Sequence, residues 1–217
     1  MPSATLLIAT NNTGKLAEFR SLLRCLTDGK FGQVTLVAPA DLSIDLDVAE
    51  TLSTYDGNAA TKACAFHQAA IPLLPPSSTL VTLADDSGLE VEVLNNAPGP
   101  FSHRFGSSPG KSPLDDAGRR AFLLLQLRGH PQPWHASFHC SLAVFHAGRL
   151  NLTHGRCRGT IIDQERGTNG FGYDPIFLLD ELDKTMAELD MCQKNSLSHR
   201  ARAVLAAIPV LEDILST

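Results

Sequence analysis

Apolar positions along this chain recur in two alternating rhythms. Thr5 to Ala9 reads as a short buried strand and Gly14 to Leu26 as a helix, followed by a strand over Gln33 to Val37 and a helix over Asp56 to Ala70. A loop containing proline and serine spans Pro72 to Ser78. Thr79 to Ala84 has the β-branched and apolar content of a buried strand, and Leu89 to Leu94 alternates with period two. Asp85, Asp86 and Ser87 are therefore expected in a turn between two strands, with Gly88 supplying the bend. A loop rich in proline and glycine follows over Pro98 to Pro113, then a helix over Asp115 to Leu127 and a long strand over Trp134 to His146. Ala147 and Gly148 join that strand to Arg149 through His154 as a hairpin. The last helix is expected from Ser196 or Ser198 to Leu215, with Pro209 as a kink. The alternation makes this an α/β chain. No repeat, low-complexity stretch or linker divides it, so residues 1–217 are expected to form one domain of two lobes.

Composition narrows the picture. At 217 residues, 43% hydrophobic and 19% charged, the chain is long enough for a sizeable core. A formal net charge of −5 leaves no broad basic surface, which argues against polymeric nucleic acid as a partner. The five cysteines (Cys25, Cys64, Cys140, Cys157, Cys192) are widely spaced, with no Cys-x-x-Cys pair, and read as reduced thiols. No segment is long and apolar enough for a membrane span, and no basic, apolar leader opens the chain, so the expected location is cytoplasmic. His130, His135, His139, His146 and His154 lie in one region, but their spacing offers no closed zinc set; they are expected to be solvated or satisfied in the core.

Four segments carry candidate chemistry. Ala84 to Leu89 places two consecutive carboxylates, Asp85 and Asp86, beside Ser87. Thr10, Asn11, Asn12, Thr13, Gly14 and Lys15 stand where the first strand meets the first helix; short polar side chains, a glycine and a lysine at a helix N-terminus suit a phosphate. Leu16 stands where a P-loop would carry its magnesium-binding hydroxyl, so this is not a P-loop. Gly167 to Pro175 alternates glycines with Phe171 and Tyr173 and closes on Asp174; glycines let backbone approach a ligand, and an aromatic ring offers a stacking face for a base. Lys194, His199 and Arg200 put cations just before and within the first turn of a helix, where the dipole disfavours them.

In order and spacing these segments resemble the noncanonical purine nucleoside triphosphate pyrophosphatases, the HAM1-like inosine/xanthosine triphosphate pyrophosphohydrolases. Thr10 to Lys15 with Glu18 resembles the opening phosphate motif, and Glu50, Thr51, Asn58, Ala59 and Lys62 the second. Ala84 to Leu89, continuing through Ala97, Pro98 and Gly99 to Ser102 and Arg104, resembles the most diagnostic stretch. Gly170 to Phe177 and the set Lys194, Ser198, His199 and Arg200 complete the likeness, which spans the chain.

The resemblance implies a mixed α/β fold, an elongated twisted sheet with flanking helices, and two lobes around a central cleft. It implies Mg²⁺-assisted water attack at the α-phosphate of ITP, dITP or XTP, giving the nucleoside monophosphate and pyrophosphate and so cleansing the nucleotide pool. Asp86 would activate the water, and Glu50 would hold magnesium with it. Thr10, Asn11, Asn12, Thr13, Gly14, Lys15 and Lys194 would grip phosphates, and Ser87 would donate to phosphate or ribose. Asp85 either orients Asp86 or is structural. Phe171, in a loop with Gly172, Tyr173 and Asp174, would stack on the purine. His199 and Arg200 would read the base edge, where a guanidinium donates to a 6-oxo oxygen and meets only a donor in adenine. A homodimer is also implied.

Five positions at three places depart from the family pattern. Asp56 and Gly57 stand where a Glu often precedes the Asn, Asn95 and Asn96 replace glycines, and His103 replaces a small residue. The alternatives are a Maf-like pyrophosphatase of modified pyrimidine nucleotides and a nucleotide-binding module without turnover.

Overall fold

The computed structural model describes residues 4–24, 34–107 and 112–216. The expected helix end at Leu26, the strand start at Gln33, Cys25 and part of the Pro98 to Pro113 loop lie outside the described residues. Strands β1 (Ala4–Ile8), β2 (Val34–Val37), β3 (Thr79–Val91), β4 (Trp134–His146), β5 (Arg149–Ile161), β6 (Phe177–Leu179) and β7 (Lys184–Thr185) form one sheet in the order β2-β1-β3-β4-β5-β6-β7. The helices are α1 (Thr13–Leu22), α2 (Tyr55–Ala70), α3 (Asp116–Leu127), α4 (Met191–Leu197) and α5 (His199–Leu215). β1 is parallel to both β2 and β3, with Ala4 opposite Val34 and Thr79. Parallel neighbours require crossovers, and α1 and α2 provide them. β6 is antiparallel to β5 and to β7. The expected mixed α/β architecture is the one observed.

Two compact units share these elements. Unit 1 comprises Met1–Asp86, Cys140–Gly155 and Arg200–Thr217; unit 2 comprises Ser87–His139 and Arg156–His199.

In unit 1 the strand period of two distributes side chains to two cores. Leu6, Ile8, Val81, Leu83, Leu142 and Val144 pack with Phe19 of α1 and with Ala203, Val204, Ala207 and Leu211 of α5. Leu7, Leu80, Ala84 and Ala143 face the other way and pack with Ala59, Ala63, Phe66 and Ala70, one stripe of α2 at helical spacing. Both faces of β3 are therefore covered. The turn expected at Asp85 to Ser87 does not exist, because β3 runs unbroken through it and residues 80–86 are all buried. Two adjacent acids survive inside a buried strand because each finds its own partners. The β4–β5 hairpin forms as expected, over Ala147 (φ 47°) and Gly148 (φ 76°), the pair of positive angles that a two-residue hairpin turn requires. β5 continues past the expected His154 to Ile161.

Unit 2 has its own core, in which Leu89, Val91, Trp134, Phe138, Cys157, Ile161 and Phe177 pack with Leu123 and Leu127 of α3. α3 begins where the sequence suggested, with the Asp115 carboxylate accepting Gly118 N–H at 2.7 Å as the N-cap. The strand expected over Leu89 to Leu94 ends at Val91, and Glu92–Leu94 forms a 3-10 turn. After it, Asn95 (φ 53°) and Asn96 (φ 64°) both adopt the left-handed conformation. Asparagine tolerates that region best after glycine, so the departure at these two positions preserves the backbone path. The helix expected from Ser196 or Ser198 to Leu215 is α5, which starts at His199; a separate helix not expected from the sequence, α4, precedes it, with Ser198 extended (ψ 157°) between the two. Pro209 lies inside α5.

Candidate active site

In unit 1, β1 ends at Ile8 and α1 starts at Thr13, so the Thr10 to Lys15 segment links a strand end to a helix N-terminus, as its composition suggested. Asn12 is the N-cap, its Oδ1 accepting Lys15 N–H at 2.9 Å. The Asn12 N–H donates to Thr10 Oγ1 at 3.2 Å, and Asn11 Nδ2 donates to Leu46 C=O at 3.0 Å. Thr13 and Gly14 open the helix, where backbone N–H groups have no intrahelical acceptor.

Asp85 and Asp86 leave β3 on opposite faces. Odd-numbered Asp85 joins the side packed by α1 and α5. Its Oδ2 lies 3.0 Å from Lys15 Nζ and accepts from Arg200 Nη2 at 3.2 Å and Nε at 3.3 Å. The same guanidinium donates through Nη1 to Glu18, a buried carboxylate of α1. Arg200 is 1% exposed. Burial works against its charge, but the carboxylates of Asp85 and Glu18 outweigh that, and its pKa lies above the ordinary guanidinium range. The residue expected at a base edge is thus found bridging two buried acids. The local rule broken by a cation in the first turn of α5 has its explanation there, since two anions offset the dipole. Glu18, read as a helix-end charge, is part of the same network.

Even-numbered Asp86 joins the α2 side. Asn58 Nδ2 donates to Asp86 Oδ2 at 2.9 Å, while the Asn58 amide also exchanges hydrogen bonds with both backbone groups of Leu52, at 3.0 and 3.1 Å. One helix turn on, Lys62 Nζ pairs with Glu50. Asn58 therefore anchors the Glu50-bearing segment and Asp86 together. Burial pushes the Asp86 carboxyl up from 3.8 to about 6; the Lys62 charge opposes this, Glu50 adds to it, and Asn58 and Lys15 oppose it. Burial pulls Lys62 down, yet Asp85, Glu50 and Asp86 raise it to a net upward shift, so it stays an ammonium. Asp56 takes no part in this cluster. Its carboxylate accepts from Ser141 Oγ and from His154 Nε2 at 2.8 Å, and burial, the first influence on its pKa, is outweighed by these two so that the net shift is downward. Among the described residues no group of three or more His, Cys, Asp or Glu side chains converges as a metal site.

In unit 2 the glycine loop is ordered around ionised side chains. Gly167, Gly170 and Gly172 have φ of 80°, 76° and 62°. A Cβ at Gly170 would lie 2.0 Å from Asp174 Oδ2, so that position excludes a side chain. Asp174, 4% exposed, accepts Phe171 N–H at 3.0 Å and Lys194 Nζ at 2.6 Å. The ammonium lies 5.2 Å from the centre of the Phe171 ring. Lys194 lies ahead of α5 as expected, but in the last turn of α4, where the dipole favours a cation. Tyr173 is buried, its hydroxyl donating to Ser102 C=O at 2.9 Å, whereas Phe171 is half-buried. The His199 ring stacks on Phe138 at 4.8 Å and 17°. Ser87 is half-buried in β3.

The structure thus brings Lys15, Glu18, Asp85 and Arg200 into one network and Glu50, Asn58, Lys62 and Asp86 into another, both within unit 1. Phe171, Asp174 and Lys194 cluster within unit 2. Asn58 and Lys62 carried a signal in their spacing on one helix face, four residues apart.

Comparison with known proteins places the chain in a family. The Ham1 family model matches residues 6–210. A dITP/XTP pyrophosphatase of Gloeobacter violaceus is 41% identical over 200 residues, covering 92% of this chain and 90% of its own. One of Desulforamulus reducens is 38% identical over 213 residues, covering 95% and 94%. A solved HAM1 protein from Coxiella burnetii superposes with a TM-score of 0.77 at 36% identity, covering 97% of this chain and 99% of its own. The chain belongs to the Ham1 family.

Proposed function

We propose that this protein hydrolyses noncanonical purine nucleoside triphosphates, dITP, ITP and XTP, to the monophosphate and pyrophosphate. The observation that carries the reading is Asp86, a carboxyl held near pKa 6 by burial and braced by Asn58 among Lys62, Glu50 and Lys15. A base with a pKa near the working pH is both ionised and able to take a proton from water. The relatives named dITP/XTP pyrophosphatase support the substrate class. The donor set fits Mg²⁺, which favours one or two carboxylates with water and phosphate oxygens; Glu50 and Asp86 are hard oxygen donors, and the Glu50 charge adds to the burial that raises the Asp86 pKa. Bound there, the cation would neutralise charge developing on the phosphates.

Lys15 and the α1 N-terminus, with Thr10, Asn11, Asn12, Thr13 and Gly14, receive phosphate oxygens through a positive dipole end and a point charge. Asp85 holds Lys15, and Arg200 enters as the cation that fixes Asp85 and Glu18. Within unit 2, Phe171 would supply the stacking face, with Asp174 and Lys194 ordering its loop. A cytoplasmic homodimer belongs to the same reading; no helix among the described residues is long and apolar enough to cross a membrane.

The test is pyrophosphate release from dITP, XTP, dGTP, dATP and dUTP with and without Mg²⁺, for the wild type and Asp86→Asn. Metal-dependent release confined to dITP and XTP and lost in the variant supports the reading. Preference for a pyrimidine, or nucleotide binding without pyrophosphate release, would overturn it.

A further inference from the structure

The loop carrying Phe171 is gripped from a helix that no candidate motif includes. Gly172, at φ 62°, has both backbone polar groups taken by α3. Its N–H donates to Asp116 Oδ2 at 2.7 Å, and its C=O accepts from Arg120 Nη1 at 2.8 Å. Asp116 and Arg120 are four residues apart and so share one face of the helix. Each is fixed in turn. Arg120 meets both oxygens of Glu165, at 2.8 and 2.9 Å, and the bond to Arg120 draws the Glu165 carboxyl below its usual range. The other Asp116 oxygen pairs with Arg119, which also donates to Leu114 C=O. The preceding N–H, that of Phe171, goes to Asp174.

Of the four backbone polar groups of Phe171 and Gly172, three are therefore bonded to Asp and Arg side chains, the stronger and more directional class of hydrogen bond, and the fourth, Phe171 C=O, accepts from Asp174 N–H. A turn at a protein surface has no need of this, because water satisfies such groups. Three glycines with positive φ leave the loop many conformations when unliganded, and each order-imposing bond removes some of that freedom before a ligand arrives.

We propose that Asp116 and Arg120 are positioning residues for the base-stacking ring: by holding the N–H and C=O of Gly172 they set the orientation of Phe171, with Glu165 holding Arg120. This rests on the reading of Phe171 as the ring that stacks on the purine.

The experiment is steady-state hydrolysis of dITP by the wild type, Phe171→Ala, Arg120→Ala, Arg120→Lys, Asp116→Ala, Glu165→Gln and the double variant Phe171→Ala with Arg120→Ala, each with a thermal unfolding curve. Loss of one such bond is expected to raise KM roughly tenfold in Arg120→Ala and Asp116→Ala, with kcat within about threefold of wild type. Arg120→Lys restores part of the loss, and Glu165→Gln shifts KM in the same direction by less. The double variant should be no worse than Phe171→Ala alone, since the clamp acts through the ring. Unchanged KM in Arg120→Ala and Asp116→Ala, or additive losses in the double variant, would overturn the proposal. If Arg120→Ala does not fold, Arg120→Lys and Glu165→Gln decide on the same KM criterion. An inactive wild type overturns the functional reading, and an unchanged KM in Phe171→Ala overturns the role of the ring; both are read from proteins in which the clamp is intact.

Discussion

The two faces of β3 set neighbouring carboxylates to opposite tasks. On the α1 and α5 side, Asp85 meets two cations, Lys15 and Arg200, and Arg200 also answers Glu18. On the α2 side, Asp86 is bonded to a neutral amide, and Lys62, the cation that most favours its charge, pairs with Glu50. One carboxylate is tied through its Oδ2 into an ionic network. The other is left with a high pKa and so with appetite for a proton or a metal ion. Residues of one type, adjacent in sequence and equally buried, acquire different chemistry from what faces them.

The sharpest way to break this contrast is to remove the charge on each side. Loss of a general base costs roughly 10²- to 10⁴-fold, so Asp86→Asn should lower kcat for dITP hydrolysis by about a thousandfold. Its stability moves the other way. A folded pKa of about 6 lies above the unfolded value, so the folded state favours the protonated form and the Asp86 charge subtracts stability as pH rises through that window. Asp86→Asn should therefore be more stable than wild type at pH 8, by at most about 3 kcal/mol in a denaturant titration, the difference shrinking as pH falls through 6 and vanishing only below about pH 3. Arg200→Ala is the converse: two buried acids lose their common partner, and urea unfolding at pH 7 should show a loss of about 3 kcal/mol or more.

Smaller effects sharpen the comparison. In a pH profile of kcat/KM, activity should bend near pH 6 and fall tenfold per unit below it, as Asp86 takes up its proton. Lys62→Met should move the bend to higher pH and Glu50→Gln to lower pH, because the first change removes a cation that favours the carboxylate and the second removes an anion that opposes it. Shifts of the same sign in both variants would show that these charges do not tune Asp86. The smallest effect is expected from His154→Gln, whose exposed pairing with Asp56 is worth under about 1 kcal/mol in the same unfolding assay.

Much of the fold was legible because its signals are local. The run from Trp134 to His146 became a strand with those same bounds, and Asp115 marked the start of α3. The misreading at β3 has a physical cause: Asp-Asp-Ser-Gly has the composition of a turn, and nothing nearby in sequence announces the lysine, arginine and amide that allow it to stay in a strand. Arg200 shows the same limit, since its partners Glu18 and Asp85 lie 182 and 115 residues away. The resemblance located the positions of interest, but whether a guanidinium faces a base or an acid is decided by tertiary contact. Asp116 and Arg120 gave no local signal at all, because they act on a glycine 56 and 52 residues further along.

The Glu18–Arg200 bridge also puts the assembly of unit 1 on a clock. During synthesis the chain acquires Lys15, Glu18, Asp85 and Asp86 early, yet the cation that reconciles Glu18 with Asp85 is made only at position 200. Before then the α1 face of β3 holds two acids against one lysine, and closing so long a loop slows folding. A chain cut ahead of Arg200 would leave Glu18 and Asp85 without their common cation and the core without its α5 side, so it would populate unfolded states open to proteolysis.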